Sequence, residues 1–280
     1  MLPDPNNKIG TAGEVNASGE AGPGFASISF SSNTPVMKTR TNSGRMISRA
    51  IAGHRWTIDI TYNPLTRDEF EPVNSFLMAR RGSLVPFFIE LPQYRVPQDS
   101  NLATRVASVK PATLLTGATL LVGNNYIIDN TSGNTFVDLG ASAETSGTPF
   151  VATTRASGTG TVKAAAGSTS LVIDGLNNSN QIINVGDMFT FESDSHKKAY
   201  MITRVETSTT YKSDSHFQPN ATTQRIIHFT PGLQKAVAND VSLNFHLPKI
   251  RVLLASDVQS YSLDVNNLYQ FSLKLEEAQI

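Results

Sequence analysis

The sequence predicts a mainly β protein, a split β-sandwich or barrel domain with one helix that carries inserted small β domains. Three observations predict it. Two strongly alternating segments, 54–62 and 268–275, lie far apart in a chain of 280 residues. A single helix signature stands between 65 and 82. The middle of the chain, 100–180, is dominated by Ser, Thr, Gly, Ala and Asn, with short apolar runs separated by turn residues.

Taken in order, residues 1–24 hold prolines, glycines, asparagines and acids with little to bury, and they read as an extended N-terminal arm. From Phe25 to Phe30, Ala26, Ile28 and Phe30 share one side, as a half-buried strand requires. Strands follow at Val36–Thr39 and Gly44–Ile51. In HRWTIDITY, Trp56, Ile58, Ile60 and Tyr62 share one face and Arg55, Thr57, Asp59 and Thr61 the other, the clearest period-2 signal present.

The period then changes. Thr66 is placed to cap a helix with Glu69 three residues on, and Leu65 and Phe70 are placed as its hydrophobic staple. Phe70, Val73, Phe76 and Leu77 form an apolar stripe. Pro72 would cost a backbone bond in the interior, so a short first turn with the regular helix starting near Pro72 is expected. Arg80, Arg81 and Gly82 put cations and a glycine at its end. Leu84–Leu91 reads as the next strand.

In the middle, short strands are expected at Thr119–Val122, Tyr126–Ile128, Thr135–Leu139, Phe150–Thr153, Thr159–Val162 and Ser170–Ile173. A second β unit is expected at Asp187–Phe191, Ala199–Val205, Gln224–Phe229 and Val241–His246. At the end, Tyr269, Phe271, Leu273 and Leu275 face one way and Leu268, Gln270, Ser272 and Lys274 the other. The N-terminal segment lacks a closing strand of its own, and the terminal strand can supply it. The resulting division is an arm at 1–24, a split domain from 25–98 plus 249–280, an inserted module at 99–162 and a second at 163–248.

Composition narrows the function. Lys plus Arg and Asp plus Glu are both 23, giving no net charge. Such a chain is poorly suited to counterion-driven nucleic-acid binding or to an anionic membrane surface, so neither partner is expected. Low net charge also favours self-association. No cysteine is present, which excludes disulfides, thiolate metal sites and cysteine nucleophiles. No apolar run approaches the ~18–20 residues of a membrane helix, and the N-terminus has no secretory pattern, so a protein made without a leader is expected.

The chemistry-bearing residues are sparse. Five histidines are present, His54, His196, His216, His228 and His246, but no metalloprotease, nucleophile-elbow or phosphate-loop motif accompanies them. The sequence SDSH occurs at 193–196 and again at 213–216. Two His and two Asp can surround a divalent ion, but the same residues suit polar hairpin turns. The acid pairs Asp68/Glu69 and Glu276/Glu277 fit a helix first turn and the two faces of a strand, not facing general acid/base geometry. Arg40, Arg45, Arg49, Arg55, Arg80 and Arg81 make the N-terminal part locally basic. They suit a solvated face, or a contact with acids on another subunit. No catalytic, cofactor-binding or metal-binding residue is assigned, and no cofactor is expected.

Three stretches resemble tailed-phage virion proteins. Residues 25–92 are similar to the start of the distal tail or baseplate-adaptor family, through Gly53-His54-Arg55-Trp56, the Pro64-Leu65-Thr66-Arg67 helix start, Arg80-Arg81-Gly82 and the phenylalanine-rich strand after it. Residues 124–162 look like a small β module of phage structural proteins, carried by Tyr126, Ile128, Phe136, Leu139-Gly140-Ala141, Gly147, Phe150, Ala152-Thr153 and Gly158-Thr159-Gly160. Residues 163–280 resemble the tail family's second half, through Gly186–Phe191, Tyr200–Thr203, Thr230–Leu233, Asp257–Leu263 and the closing FSLKLEEA.

The resemblance implies a tail-tube-like β fold for the split domain. It implies a non-enzymatic virion protein, made in the host cytoplasm, that forms a homo-oligomeric, hexameric ring at the tail tip or baseplate. Its partners would be further copies of itself, the tail tube protein, the baseplate hub protein and receptor-binding or fibre proteins. Strand edges at Phe25–Phe30 and Leu84–Leu91 offer backbone groups to a neighbouring copy. The arginines between Arg40 and Arg55 face acids such as Asp68, Glu69 or Glu71 of that copy, and the N-terminal arm is free to reach across. The alternative is a tail-associated carbohydrate-binding adhesin using exposed aromatics such as Tyr126, Phe150, Tyr211 or Phe217. A hydrolase or esterase built on the two SDSH segments comes third.

Overall fold

The computed structural model describes residues 1–9, 20–50, 53–102, 106–109, 112–113, 120–131, 136–154, 160–176, 181–192, 196–211 and 217–278. The elements in chain order are β1 (Lys8–Ile9), β2 (Glu20–Ala21), β3 (Phe25–Asn33), β4 (Val36–Arg40), β5 (Met46–Ala50), β6 (Arg55–Tyr62), α1 (Arg67–Ala79) and β7 (Phe87–Glu90). Then come β8 (Val106–Val109), β9 (Ala112–Thr113), β10 (Asn125–Asn130), β11 (Pro149–Val151), β12 (Thr161–Ala164), β13 (Ser170–Asp174) and β14 (Met188–Phe191). The chain closes with β15 (Ala199–Glu206), β16 (Arg225–Thr230), β17 (Ser242–Asn244), β18 (Lys249–Leu254), β19 (Tyr261–Leu263) and β20 (Tyr269–Glu277). The fold is mainly β. It divides into two compact units, Met1–Ile89 with Ile250–Ile280, and Glu90–Lys249.

In the first unit the sheet runs β3-β6-β20-β18-β7, with β19 on the remaining length of β20. The two alternating segments are direct neighbours: β6 and β20 pair antiparallel, with Ile60 opposite Leu273 and Ile58 opposite Leu275. Trp56, Ile58, Ile60, Tyr62, Phe271, Leu273 and Leu275 are all buried. Helix α1 covers this apolar face with Phe70, Val73, Phe76 and Leu77. Phe70 stacks on Tyr269 at 4.5 Å and meets Phe271 edge-on at 5.5 Å, and Phe76 meets Phe87 edge-on at 5.3 Å.

The helix starts as its sequence dictates. The Glu69 carboxylate accepts from the Thr66 amide and hydroxyl, both at 2.9 Å, and these bonds hold its carboxyl below the usual range. The helix does not wait for Pro72, however: it runs unbroken from Arg67 to Ala79 with Pro72 buried inside it. The missing proline N–H removes one i→i−4 bond from the first turns, and the burial of the apolar stripe outweighs that loss. At the other end Arg81 and Gly82 both take left-handed backbone, φ 55° and 64°. A Cβ at 82 would lie 2.8 Å from the Asp257 carboxylate, which accepts the Ser83 amide at 3.0 Å and its hydroxyl. Arg80 lies over the Phe76 ring at 4.6 Å instead of facing the helix end.

Two details depart from the sequence expectation. A register shift between Phe25 and Ser27 turns Phe25 onto the side of Ile28 and Phe30, so these three are half-buried and Ala26 is exposed. The N-terminal residues also do more than form an arm. Leu2, Pro3, Asp4 and Asn7 are buried, the Leu2 amide donates to the Phe88 carbonyl at 2.8 Å, and β1 pairs with β2. Short apolar and capping residues among prolines gave no periodic signal to read. Residues 10–19 lie outside the described residues.

The last strand also supplies a buried acid. Glu276 is exposed and Glu277 buried, as alternation requires, and the Trp56 amide donates to Glu277 Oε2 at 3.2 Å. Glu277→Ala leaves that buried amide without its acceptor, and an expected cost of about 1–3 kcal/mol follows. Glu277→Gln retains an acceptor and should cost less; urea denaturation of the two variants measures the difference.

The second unit holds a closed barrel, β13-β16-β15-β14-β17-β8, and a four-stranded sheet, β11-β10-β12-β9. Phe189 and Tyr200 centre the barrel core, with Phe191, Phe229 and Phe245 around them. The sheet encloses Leu120, Tyr126, Ile128, Phe136, Leu139, Phe150 and Val162. The module boundary at 162 is not where pairing divides the chain. Strand β8 completes the barrel between β13 and β17, and both substructures fall in one unit. Asn124 joins them, donating to the Ser170 carbonyl at 2.7 Å and accepting from the Ser170 hydroxyl at 2.9 Å. Residues 120–122 are irregular and 136–139 are turn, where strands were expected.

Candidate subunit interface

Among the described residues strand β3 ends the sheet of the first unit, paired with β6 on one side. Natural edge strands are usually protected by charge, proline, short length or cover. This edge is nine residues long, FASISFSSN, with no charge and no proline. Its exposed side chains are mostly small hydroxyls, which are no steric barrier to a neighbouring strand.

From the same edge the chain passes into β4 and β5, an antiparallel pair separate from the main sheet. The Thr41 amide donates to the Arg45 carbonyl at 2.9 Å and the Gly44 amide to the Thr41 carbonyl at 2.8 Å, with Gly44 at φ 80°. All five side chains of β4 are exposed, including Val36 at 41 % and Met37 at 56 %; Met46 and Ile47 on β5 are 58 % and 50 % exposed. Cross-strand register places Arg40 opposite Met46 and Arg49 opposite Met37. Both faces of the hairpin therefore mix apolar and cationic groups. Lys38, Arg40, Arg45 and Arg49 belong to it, and no carboxylate occurs between residues 25 and 58. A lone two-stranded hairpin is marginal in water, so this one gains stability from whatever covers it.

The residues weighed for catalysis are placed elsewhere. Ser193–Ser195 and 212–216 lie outside the described residues, so the paired SDSH segments carry no geometry. His196 is buried, bonded through Nε2 to the Tyr200 hydroxyl and edge-on to Phe191 at 4.7 Å. That hydroxyl accepts the Gln234 amide at 3.1 Å. Among the described residues no group of three or more His, Asp or Glu is placed to hold a metal ion. His54 is buried against Trp56 and bonded to Ser32 at 2.8 Å. His228 and Arg204 both meet the buried Glu206 at 2.8 Å on the barrel wall.

Burial, reinforced by Lys235 and Lys198, lowers the His196 pKa from 6.5 to about 4. A histidine that resists protonation in the fold contributes stability that is complete above its unfolded pKa and lost as pH falls toward the folded one. The second unit is therefore expected to lose stability from pH 6.5 down to about 4. His196→Phe should flatten that part of a melting-temperature profile against pH.

Of the four aromatics considered for stacking on sugar, Tyr126, Phe150 and Phe217 are buried and Tyr211 is half-buried. Tyr126 and Phe150 are buried in the core of the four-stranded sheet, and Phe217, with Tyr211 packed against it, is buried over Val172 and Ile226. Their alternation with polar residues reflects packing, and the adhesin reading loses three of the four side chains it named, Tyr211 being half-buried. The sequence in turn missed the exposed apolar faces of the β4–β5 hairpin. Val36, Met37, Met46 and Ile47 flanking a Gly turn were the available signal.

Residues 15–94 match the family model described as the N-terminal part of the A domain of the distal tail protein pb9. The match likens this N-terminal stretch, less than half of the chain, to a phage distal tail protein. No curated protein matches the chain.

Proposed function

We propose that this chain is a non-enzymatic structural protein that assembles as a homo-oligomeric ring at the distal end of a phage tail. The ring joins the tail tube protein to the baseplate hub and carries receptor-binding or fibre proteins. The match over residues 15–94 supports the tail assignment. The observation that carries the ring is the uncharged nine-residue edge of β3 beside a hairpin exposed on both faces. Each copy then offers backbone hydrogen bonds and apolar surface that a neighbour covers. Six copies is the number that the resemblance of residues 25–92 and 163–280 to the distal tail family implies.

A stable contact of this kind buries about 800 Å² per partner. Sedimentation velocity of the purified chain, alone and with its tail partners, tests the proposal. A discrete species of several chain masses is expected, and a monomer in both conditions overturns it.

A further inference from the structure

The hairpin's cations and apolar groups have a counterpart on the same unit. Phe70 of α1 packs on Tyr269 at 4.5 Å and on Tyr261 at 5.0 Å, and Leu65 exchanges backbone bonds with Tyr269 at 2.9 and 2.8 Å. These contacts bring the first turns of α1 beside the hairpin formed by β19 and β20. The surface so made carries the exposed Asp68, Glu69 and Glu71 and the half-buried Asp264, whose carboxylate accepts the Asn266 and Leu268 amides, with Arg67 drawn to Glu71 at 3.5 Å. It is also apolar: Tyr261 is 56 % exposed, Leu263 52 % and Val265 98 %. An open cleft of ≈ 490 Å³ adjoins it, with Thr61, Tyr62, Tyr261 and Phe271 among its walls.

We infer that the β4–β5 hairpin of one copy docks on this surface of the next. The inference rests on the ring reading and names the two faces of its contact. Lys38, Arg40, Arg45 and Arg49 meet four carboxylates offset by one guanidinium, and Val36, Met37, Met46 and Ile47 cover Tyr261, Leu263 and Val265. Charge complementarity selects this register over hairpin-on-hairpin contact, where like charges repel. The two faces are different patches of one chain, so the contact is head-to-tail, the type that closes into rings when the rotation permits.

The absence of cysteine makes the test clean. Met37→Cys and Val265→Cys are placed in separate preparations at exposed positions, mixed, assembled and treated with a short bis-maleimide. A covalent product of two chains in the mixture, absent from either variant alone, is expected. Adding Arg40→Glu and Arg49→Glu to the first variant should abolish it. Oligomers that form normally but give no more cross-link in the mixture than in the single variants overturn this inference and leave the ring standing. A mixture that stays monomeric both alone and with its tail partners overturns both.

Discussion

Trp56→Ala is expected to destabilise the first unit by about 3–5 kcal/mol, the usual cost of truncating a buried large aromatic. Trp56 is 2 % exposed. It stacks on Phe30 at 4.6 Å, meets His54 edge-on at 4.3 Å, and through its amide bonds Glu277 at 3.2 Å. The side chain thus packs β6 against Phe30 of β3 and against His54, while its backbone amide, which the substitution keeps, holds β20 through Glu277. Removing it leaves a cavity beside Phe30 and His54. Denaturant unfolding followed by circular dichroism measures the cost. A loss below about 1 kcal/mol, the size of an ordinary surface substitution or small trimming, would contradict the burial argument.

The second large effect concerns residues 91–248. Their replacement by a short linker is expected to remove one unfolding transition and leave the other in place. Strands β7 and β18, which flank this segment, are neighbours in the sheet of the first unit, so a linker has only a short gap to span. The first unit keeps its own core, including Trp56, Phe70, Leu77, Val252 and Leu273, and inserted domains tolerate removal at such junctions. Trp56 is the only tryptophan, so its fluorescence reports on the first unit alone. The fluorescence midpoint should match in the full and shortened chains, and the shortened chain should still assemble. A molten or aggregated product would contradict the insertion proposal.

What the sequence revealed and what it hid divide along physical lines. Strands β6 and β20 were legible because each buries one face, so every second residue is apolar. The capping box announced α1, yet Pro72 misled, because helix propensity near an N-terminus yields to the burial of Phe70 and Val73. A bulge shifts the phase of Phe25 by one residue, which no periodicity reveals. Strand β8 is four residues long and owes its place to partners β13 and β17, far along the chain. The interface was half legible: the arginines stood out as charge, while Val36, Met37, Met46 and Ile47 resembled ordinary core residues and are exposed.

Labelling this chain in the assembled particle, with a bulky tag on the C-terminus and low-resolution imaging, tests the central claim most directly. A ring of extra density at the distal end of the tail, repeated in step with the copy number from sedimentation, is the result expected. Density at the neck, or single unrepeated density on the tail side, would contradict it.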